Sequence, residues 1–180
     1  YQREFALGLT EEDEAEVLFD GVHHAREIMT VEMCLYLARY LCENYPDDPL
    51  TRRLVDDRQI YFVSIVNPDG FVYNETIVPG GGGMWRKNRS SGDTPCRGVD
   101  LNRNYPFMWG MTGASGNPCA DDYRGPAAMS EPETQAMVRF INTRRFVTHE
   151  SIHSVAGMIL FPWGHTTDHT PDDGLFRSVA

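Results

Sequence analysis

The run Ile60 to Val66 (IYFVSIV) constrains this chain more than any other stretch. β-Branched and aromatic residues fill nearly every position without polar alternation, as in a strand covered on both faces. Such strands belong to sheets with a parallel component, whose crossovers are helices and long loops. The flanking sequence supplies those elements. Residues 16–22 read as a strand, preceded by a second over 4–9 and joined to it by the acidic, solvated turn Glu11-Glu12-Asp13-Glu14. Residues 28–45 carry helical periodicity, with Ile28, Val31, Leu35, Ala38 and Cys42 on the expected buried face. Pro46 and Pro49 close that helix, and a short one is expected over 50–57.

After the apolar run, Asn67-Pro68-Asp69-Gly70 has strong turn chemistry. From Tyr73 to Ala128 the chain reads as loop-rich, with Gly80 to Gly83 as a hinge-like stretch. Irregular regions of that length are usually functional. Ser130-Glu131-Pro132-Glu133 has the form of a capping box, opening a helix that buries Met137, Phe140 and Ile141. Residues 146–152 and 157–161 read as two further strands. Strands alternating with helices predict an α/β fold: a mixed, partly parallel central sheet with helices on both faces. Ligands of such sheets gather beyond the carboxyl ends of the strands.

With 180 residues the chain is sized for a single domain, taken here as 1–180. Its formal net charge of -10 argues against a nucleic-acid partner, which would need a basic surface. No apolar run approaches the ~18 residues of a membrane span. The chain opens at Tyr1 without a basic and apolar leader, so it is expected to be a mature or excised segment. Cys34 and Cys42 share one predicted helix and lie roughly 12 Å apart at 1.5 Å per residue, too far to bond, so both are expected as small core residues. Cys96 and Cys119 flank a Gly-, Asn- and Pro-rich stretch where a covalent staple would help; a disulfide there implies an extracellular setting.

Four constellations carry chemistry. In Gly21-Val22-His23-His24-Ala25-Arg26-Glu27, a His and a Glu three apart on a helical turn project to one side, so His24 and Glu27 can grip one metal. His23 with Glu27, four apart, is geometrically allowed as well. Ser151-Ile152-His153-Ser154 places another His at a strand end. Two histidines and one glutamate make three ligands with a fourth position open, the pattern of catalytic zinc. Cobalt or nickel fits the same donors. Met84-Trp85-Arg86-Lys87-Asn88-Arg89 is a dense basic stretch suited either to oxyanion stabilisation or to plain solvation. In Gly98-Val99-Asp100-Leu101-Asn102-Arg103-Asn104 the adjacent Asn and Arg can hold a carboxylate, or merely form a turn.

Taken in order, HHARE, NPDG, MWRKNRS, GVDLNRNY and SIHS resemble the zinc carboxypeptidase family of the carboxypeptidase A, B and T type. The resemblance runs from about Val17 to Trp163. It implies a zinc-dependent metallocarboxypeptidase that releases C-terminal residues from peptides or proteins. Carried over, the zinc ligands are His24, Glu27 and His153; Arg86 polarises the scissile carbonyl; Asn102 and Arg103 clamp the terminal carboxylate; Arg26 and Ser154 line neighbouring subsites. Cys96 and Cys119 match a disulfide pair of animal members. A propeptide, or the remainder of its own domain, is a further expected partner.

Departures accompany the likeness. Val155 stands where many members carry Tyr, and His165 replaces a commonly aromatic position. His165 and His169 read as loop residues rather than a second metal site. Glu150 lies an odd number of positions from His153 and should face the other side of the sheet, so it is no substitute base; if buried it needs Arg144 or Arg145. In the family, the water-activating glutamate, a mobile tyrosine and the pocket floor follow the second zinc histidine, whereas no Glu or Tyr follows His153. The chain therefore reads as the middle of such a domain. A missing base forfeits ~10²–10⁴ in rate. Competing readings are an inert zinc- and C-terminus-binding fragment, or a related hydrolase of acylated amino acids.

Overall fold

A computed structural model describes residues 14–91, 96–155 and 157–180. Its centre is a parallel three-stranded sheet in the order β2-β1-β3. Strand β1 covers Ala15–Gly21, β2 Arg58–Val63 and β3 Phe146–Ile152. Helices α1 (Met29–Asn44), α2 (Pro49–Asp56) and α3 (Pro68–Ile77) follow the first two strands, and α4 (Pro132–Asn142) leads into β3. A short helix, α5 (Asp173–Val179), closes the described chain. The expected strand over 4–9 lies outside the described residues.

Register fixes which side chains meet. Leu18 is opposite Tyr61 and His149, and Asp20 is opposite Val63 and Ser151, so these share one face. Phe19, opposite Phe62 and Glu150, lies on the other face. Leu18, Val66, Leu101 and Met137 form the buried core, with Tyr61, Val63, Tyr105, Phe140, Ile141 and Phe146 packed around them. Tyr61, Phe140 and Phe146 meet edge to face at 5.5–5.7 Å, the arrangement aromatic quadrupoles favour. Helix α4 is thereby joined to the Leu18 face through Met137, Phe140 and Ile141.

Several local expectations need correction. Helix α1 buries Thr30 and Cys34, while Leu35 is 53% exposed and Cys42 is exposed. The Thr30 hydroxyl accepts from the Val22 amide and donates to the Glu27 carbonyl, and this pins the first turn with Thr30 inward. Pro49 starts α2 rather than closing α1: it sits in the first turn, where its missing N–H costs nothing, behind the Asp48 cap. Asn67-Pro68-Asp69-Gly70 likewise opens a helix, with the Asn67 side chain capping the Gly70 amide. The chemistry is that of a turn and of a cap alike. At α4 the capping box does not form; Glu131 is the N-cap residue, and the Ser130 hydroxyl donates to the Glu131 carboxylate instead. Residues 157–161 form no strand; Phe161 stacks on Phe176 at 5.4 Å.

Candidate metal centre and its surroundings

The three strands run in one direction, so the segments leaving β1 and β3 emerge on the same edge of the sheet. His23, His24 and Glu27 lie on the segment after β1, and His153 directly follows β3. Val22 makes the bend between them. Its φ of 53° is the left-handed region, unusual for a β-branched residue, and it is held by bonds from the Val22 amide to Thr30 and from the Asn67 amide to the Val22 carbonyl. His24 and Glu27 lie on a turn ahead of α1, closed by the Glu27 amide donating to the His24 carbonyl at 3.0 Å. A three-residue step around this turn still aims both side chains one way.

His24 Nδ1 is 2.7 Å from Glu27 Oε1, and His153 Nδ1 is 2.9 Å from Glu27 Oε2. The two Nδ1 atoms are 3.2 Å apart. One donor atom from each of His24, Glu27 and His153 lies within 4.8 Å of the others, the one such set found among the described residues. His24 and Glu27 are buried and His153 is exposed. Two imidazole nitrogens facing one another beside a carboxylate suit a shared cation, and the nitrogen and oxygen donors suit zinc. Burial alone would raise the Glu27 carboxyl, yet hydrogen bonds from His153 and His24 hold it far below the usual carboxylate range. Burial would lower His24, but Asp100 and Glu27 raise it above the ordinary imidazole value. His23 takes no part in the trio: its Nε2 meets the Tyr105 hydroxyl at 2.7 Å and its Nδ1 the Asp20 carboxylate at 3.1 Å.

The residue that sequence reasoning passed over is Asp100. It is fully buried, and its Oδ2 accepts from Arg86 Nε at 3.1 Å and Nη2 at 2.7 Å. Its Oδ1 accepts from the Asn102 amide at 3.0 Å and lies 3.2 Å from His24 Nε2. That last approach is close but poorly aligned, leaving His24 Nε2 without a well-directed partner. Burial pushes the Asp100 carboxyl up, but His24 and Arg86 outweigh it and hold it low. One carboxylate thus ties a metal-facing histidine, the Arg86 fork and the Asn102 backbone into one unit. An Asp two positions before the Asn102-Arg103 pair is visible in the sequence, but the partners that give it this role are not.

Of the basic stretch, only Arg86 reaches this unit. Lys87 is buried and donates to the carbonyls of Pro118 and Ala120, while Arg89 lies over the rings of Tyr73 and Trp85 at 3.6 and 4.6 Å. Both act as packing cations. Gly98, at φ 79°, lets the chain pass against Asn88, where a Cβ would strike the Asn88 carbonyl. The Cys96–Cys119 disulfide is present, with a Cα–Cα distance of 4.9 Å. Asn102 is exposed, and Arg103 donates to the carbonyls of Gly113 at 2.6 Å and Asn102 at 3.1 Å. Arg26 pairs with Asp121 at 3.4 Å in an exposed contact, and the Ser154 amide donates to Glu27 at 3.2 Å. Glu150 is exposed, on the face away from Ser151. His165 rests against Phe107 and Trp163, and His169 pairs with Asp173 at 3.0 Å. Among the described residues no helix is long and apolar enough to cross a membrane.

Comparison with known proteins gives a consistent match. Residues 5–180 match the family model of zinc carboxypeptidase, Peptidase_M14. Carboxypeptidase A1 of Mus musculus is 37% identical over 162 residues, which is 87% of this chain and 37% of that protein. Metallocarboxypeptidase A of Trichophyton tonsurans is 36% identical over 172 residues, 91% of this chain and 39% of its own length. The crystal structure of carboxypeptidase A from Helicoverpa armigera superposes with a TM-score of 0.79 at 31% identity, covering 90% of this chain and 38% of that one. The chain spans about two fifths of the length of the curated relatives it matches.

Proposed function

Because this chain belongs to the zinc carboxypeptidase family, we propose that it carries the metal- and substrate-holding part of a metallocarboxypeptidase that releases C-terminal residues from peptides. The observation that carries this reading is the convergence of His24, Glu27 and His153 donor atoms within 4.8 Å. These three residues would hold one Zn²⁺, which when bound supplies Lewis acidity toward a carbonyl and toward water. Arg86, fixed by two hydrogen bonds to Asp100, presents its remaining N–H groups to the oxygen of the scissile carbonyl as negative charge develops there. Asn102 and Arg103 bind the free terminal carboxylate, Arg103 through its fork and Asn102 through its amide. Arg26 and Ser154 line the adjoining subsites. We assign residues 1–180 to a single catalytic domain of this kind. The Cys96–Cys119 bridge supports a secreted, extracellular protein.

Holding and hydrolysis are tested separately. The chain should bind one equivalent of Zn²⁺ and bind free-acid peptides better than their C-terminal amides. Chromogenic free-acid peptides, with and without chelator, report turnover. Arg103→Ala should weaken free-acid binding several-fold and leave metal content unchanged. Equal loss for free acids and amides would remove the carboxylate clamp from this reading.

A further inference from the structure

Behind the three metal-facing residues lies a second buried carboxylate, Asp20, with no solvent exposure. It stands on β1 and is bound by two side chains of β3 and one from the segment after β1: His149 Nε2 meets Oδ2, the Ser151 hydroxyl donates to Oδ1 at 2.7 Å, and His23 Nδ1 lies 3.1 Å from Oδ1. Burial would push the Asp20 carboxyl up, but the hydrogen bonds from His149 and His23 overcome it and keep the group ionised. An ionised carboxylate only accepts, so the Ser151 proton must point at Asp20 and its lone pairs away from it. One neighbour on that side is His153 Nε2, 3.4 Å from the Ser151 oxygen; His23 Nδ1 stands 3.3 Å away.

The orientation of His153 gives this contact its meaning. Its Nδ1 is the nitrogen that faces Glu27 and His24, at 2.9 and 3.2 Å. An imidazole that offers the Nδ1 lone pair to a metal carries its proton on Nε2. The Nε2–H therefore points toward the Ser151 oxygen, whose own proton goes to Asp20. Donor and acceptor directions agree along the whole line. On His24 a carboxylate, Asp100, also stands beside Nε2, at 3.2 Å but poorly aligned.

We infer that Asp20 and Ser151 form a positioning pair for His153, fixing through the Ser151 hydroxyl the ring orientation that brings Nδ1 to the metal. The inference rests on the metal reading proposed above. His153 needs such a support more than His24 does. His24 is buried, whereas the His153 side chain is 31% exposed and follows a strand whose residues are mostly exposed. Packing holds the first ring, and hydrogen bonding must hold the second.

Zinc affinity, measured by competition with a chromophoric chelator, tests the pair without reference to turnover. Ser151→Ala should weaken Zn²⁺ binding about 10–100-fold, the usual effect of removing an outer partner of a metal-bound histidine. Ser151→Thr keeps the hydroxyl and should restore affinity to within a few-fold. Asp20→Asn, which retains an oxygen for Ser151, should lose less than Asp20→Leu. In a His153→Ala background, Ser151→Ala should have no further effect; a general loosening of the fold would lower affinity there too. Unchanged affinity in Ser151→Ala, with His153→Ala deficient, overturns the positioning pair and leaves the metal reading intact. Failure of the unmodified chain to bind Zn²⁺ removes the metal reading, and the pair with it. Should Asp20→Leu fail to fold, the Ser151 variants and the His153→Ala background decide alone.

Discussion

The two ends of the metal trio stand in opposite kinds of surroundings. His24 and Glu27 belong to a closed platform: they are buried, follow the central strand, and are braced by Asp100, Thr30 and the Arg86 backbone. His153 belongs to an open half, where among the described residues β3 is an outer strand and Val155, Met158, Ile159 and Leu160 are 59–95% exposed. Both halves present a donor atom to the same point. Burial fixes a ligand by denying it alternatives, whereas an exposed ligand must be held by directed bonds. A substitution in the closed half should therefore damage fold and metal together, and one in the open half should damage metal far more than fold.

The largest effect that tests this contrast is loss of the metal itself. His24→Ala and His153→Ala should each weaken Zn²⁺ binding by roughly two orders of magnitude or more, since four-ligand structural sites bind with about 10–16 kcal/mol and here each residue is one of only three protein ligands. They should separate in metal-free protein. His24→Ala leaves Glu27 and the buried Asp100 short of a partner, at a cost of about 1–3 kcal/mol in unfolding free energy. His153→Ala removes one bond to Glu27, which keeps those from His24 and the Ser154 amide, so its loss of metal-free stability should be the smaller. Denaturant melts of the two apo variants make the comparison, and equal destabilisation would break it.

Next in size is packing. Leu18→Ala, fully buried beneath Leu101 and Met137, should cost about 2–5 kcal/mol through lost transfer energy and a residual cavity. Leu160→Ala, at an 80% exposed position, should stay within about 0.5 kcal/mol. A Leu160 effect comparable to that of Leu18 would mean that the open half is packed in solution, and the distinction between the halves would fall.

The sequence was legible where a residue's chemistry and its position pointed one way. The β1 and β3 segments, the His-x-x-Glu turn and the Cys96–Cys119 bridge follow from composition, spacing and the family resemblance. Reading failed where one residue type serves two local structures. Asn67-Pro68-Asp69-Gly70 has the makings of a turn, and the same Asn and Pro cap and open α3. The α1 face was set one step off because Thr30, a polar residue, is turned inward by its bonds to Val22 and Glu27. Asp100 was passed over for a different reason. Its role lies in the partners that the fold brings to it, Arg86 from fourteen positions upstream and His24 from much farther, and no local pattern encodes those meetings.

The smallest expected effect concerns pH, and it probes how closed the closed half is. Glu133, in the first turn of α4, is partly buried beside Glu131, with Asn88 Nδ2 3.3 Å from each carboxylate oxygen. A helix N-terminus favours a carboxylate. Here burial, with the charges of Glu131 and Asp69, outweighs that and the Asn88 bond, raising the Glu133 carboxyl above its usual value. A raised folded-state value means that the folded chain holds this proton more tightly than the unfolded chain does. The stability it contributes is full below the unfolded carboxyl value and is lost as pH climbs through the raised one. Glu133→Gln keeps the neutral shape at every pH. The variant and the parent should therefore unfold at the same denaturant concentration in acid, and the variant should be the more stable near neutrality. The opposite ordering, with Glu133→Gln weaker at neutral pH, would mean that water reaches this carboxylate and that the closed half is wetter than its packing implies.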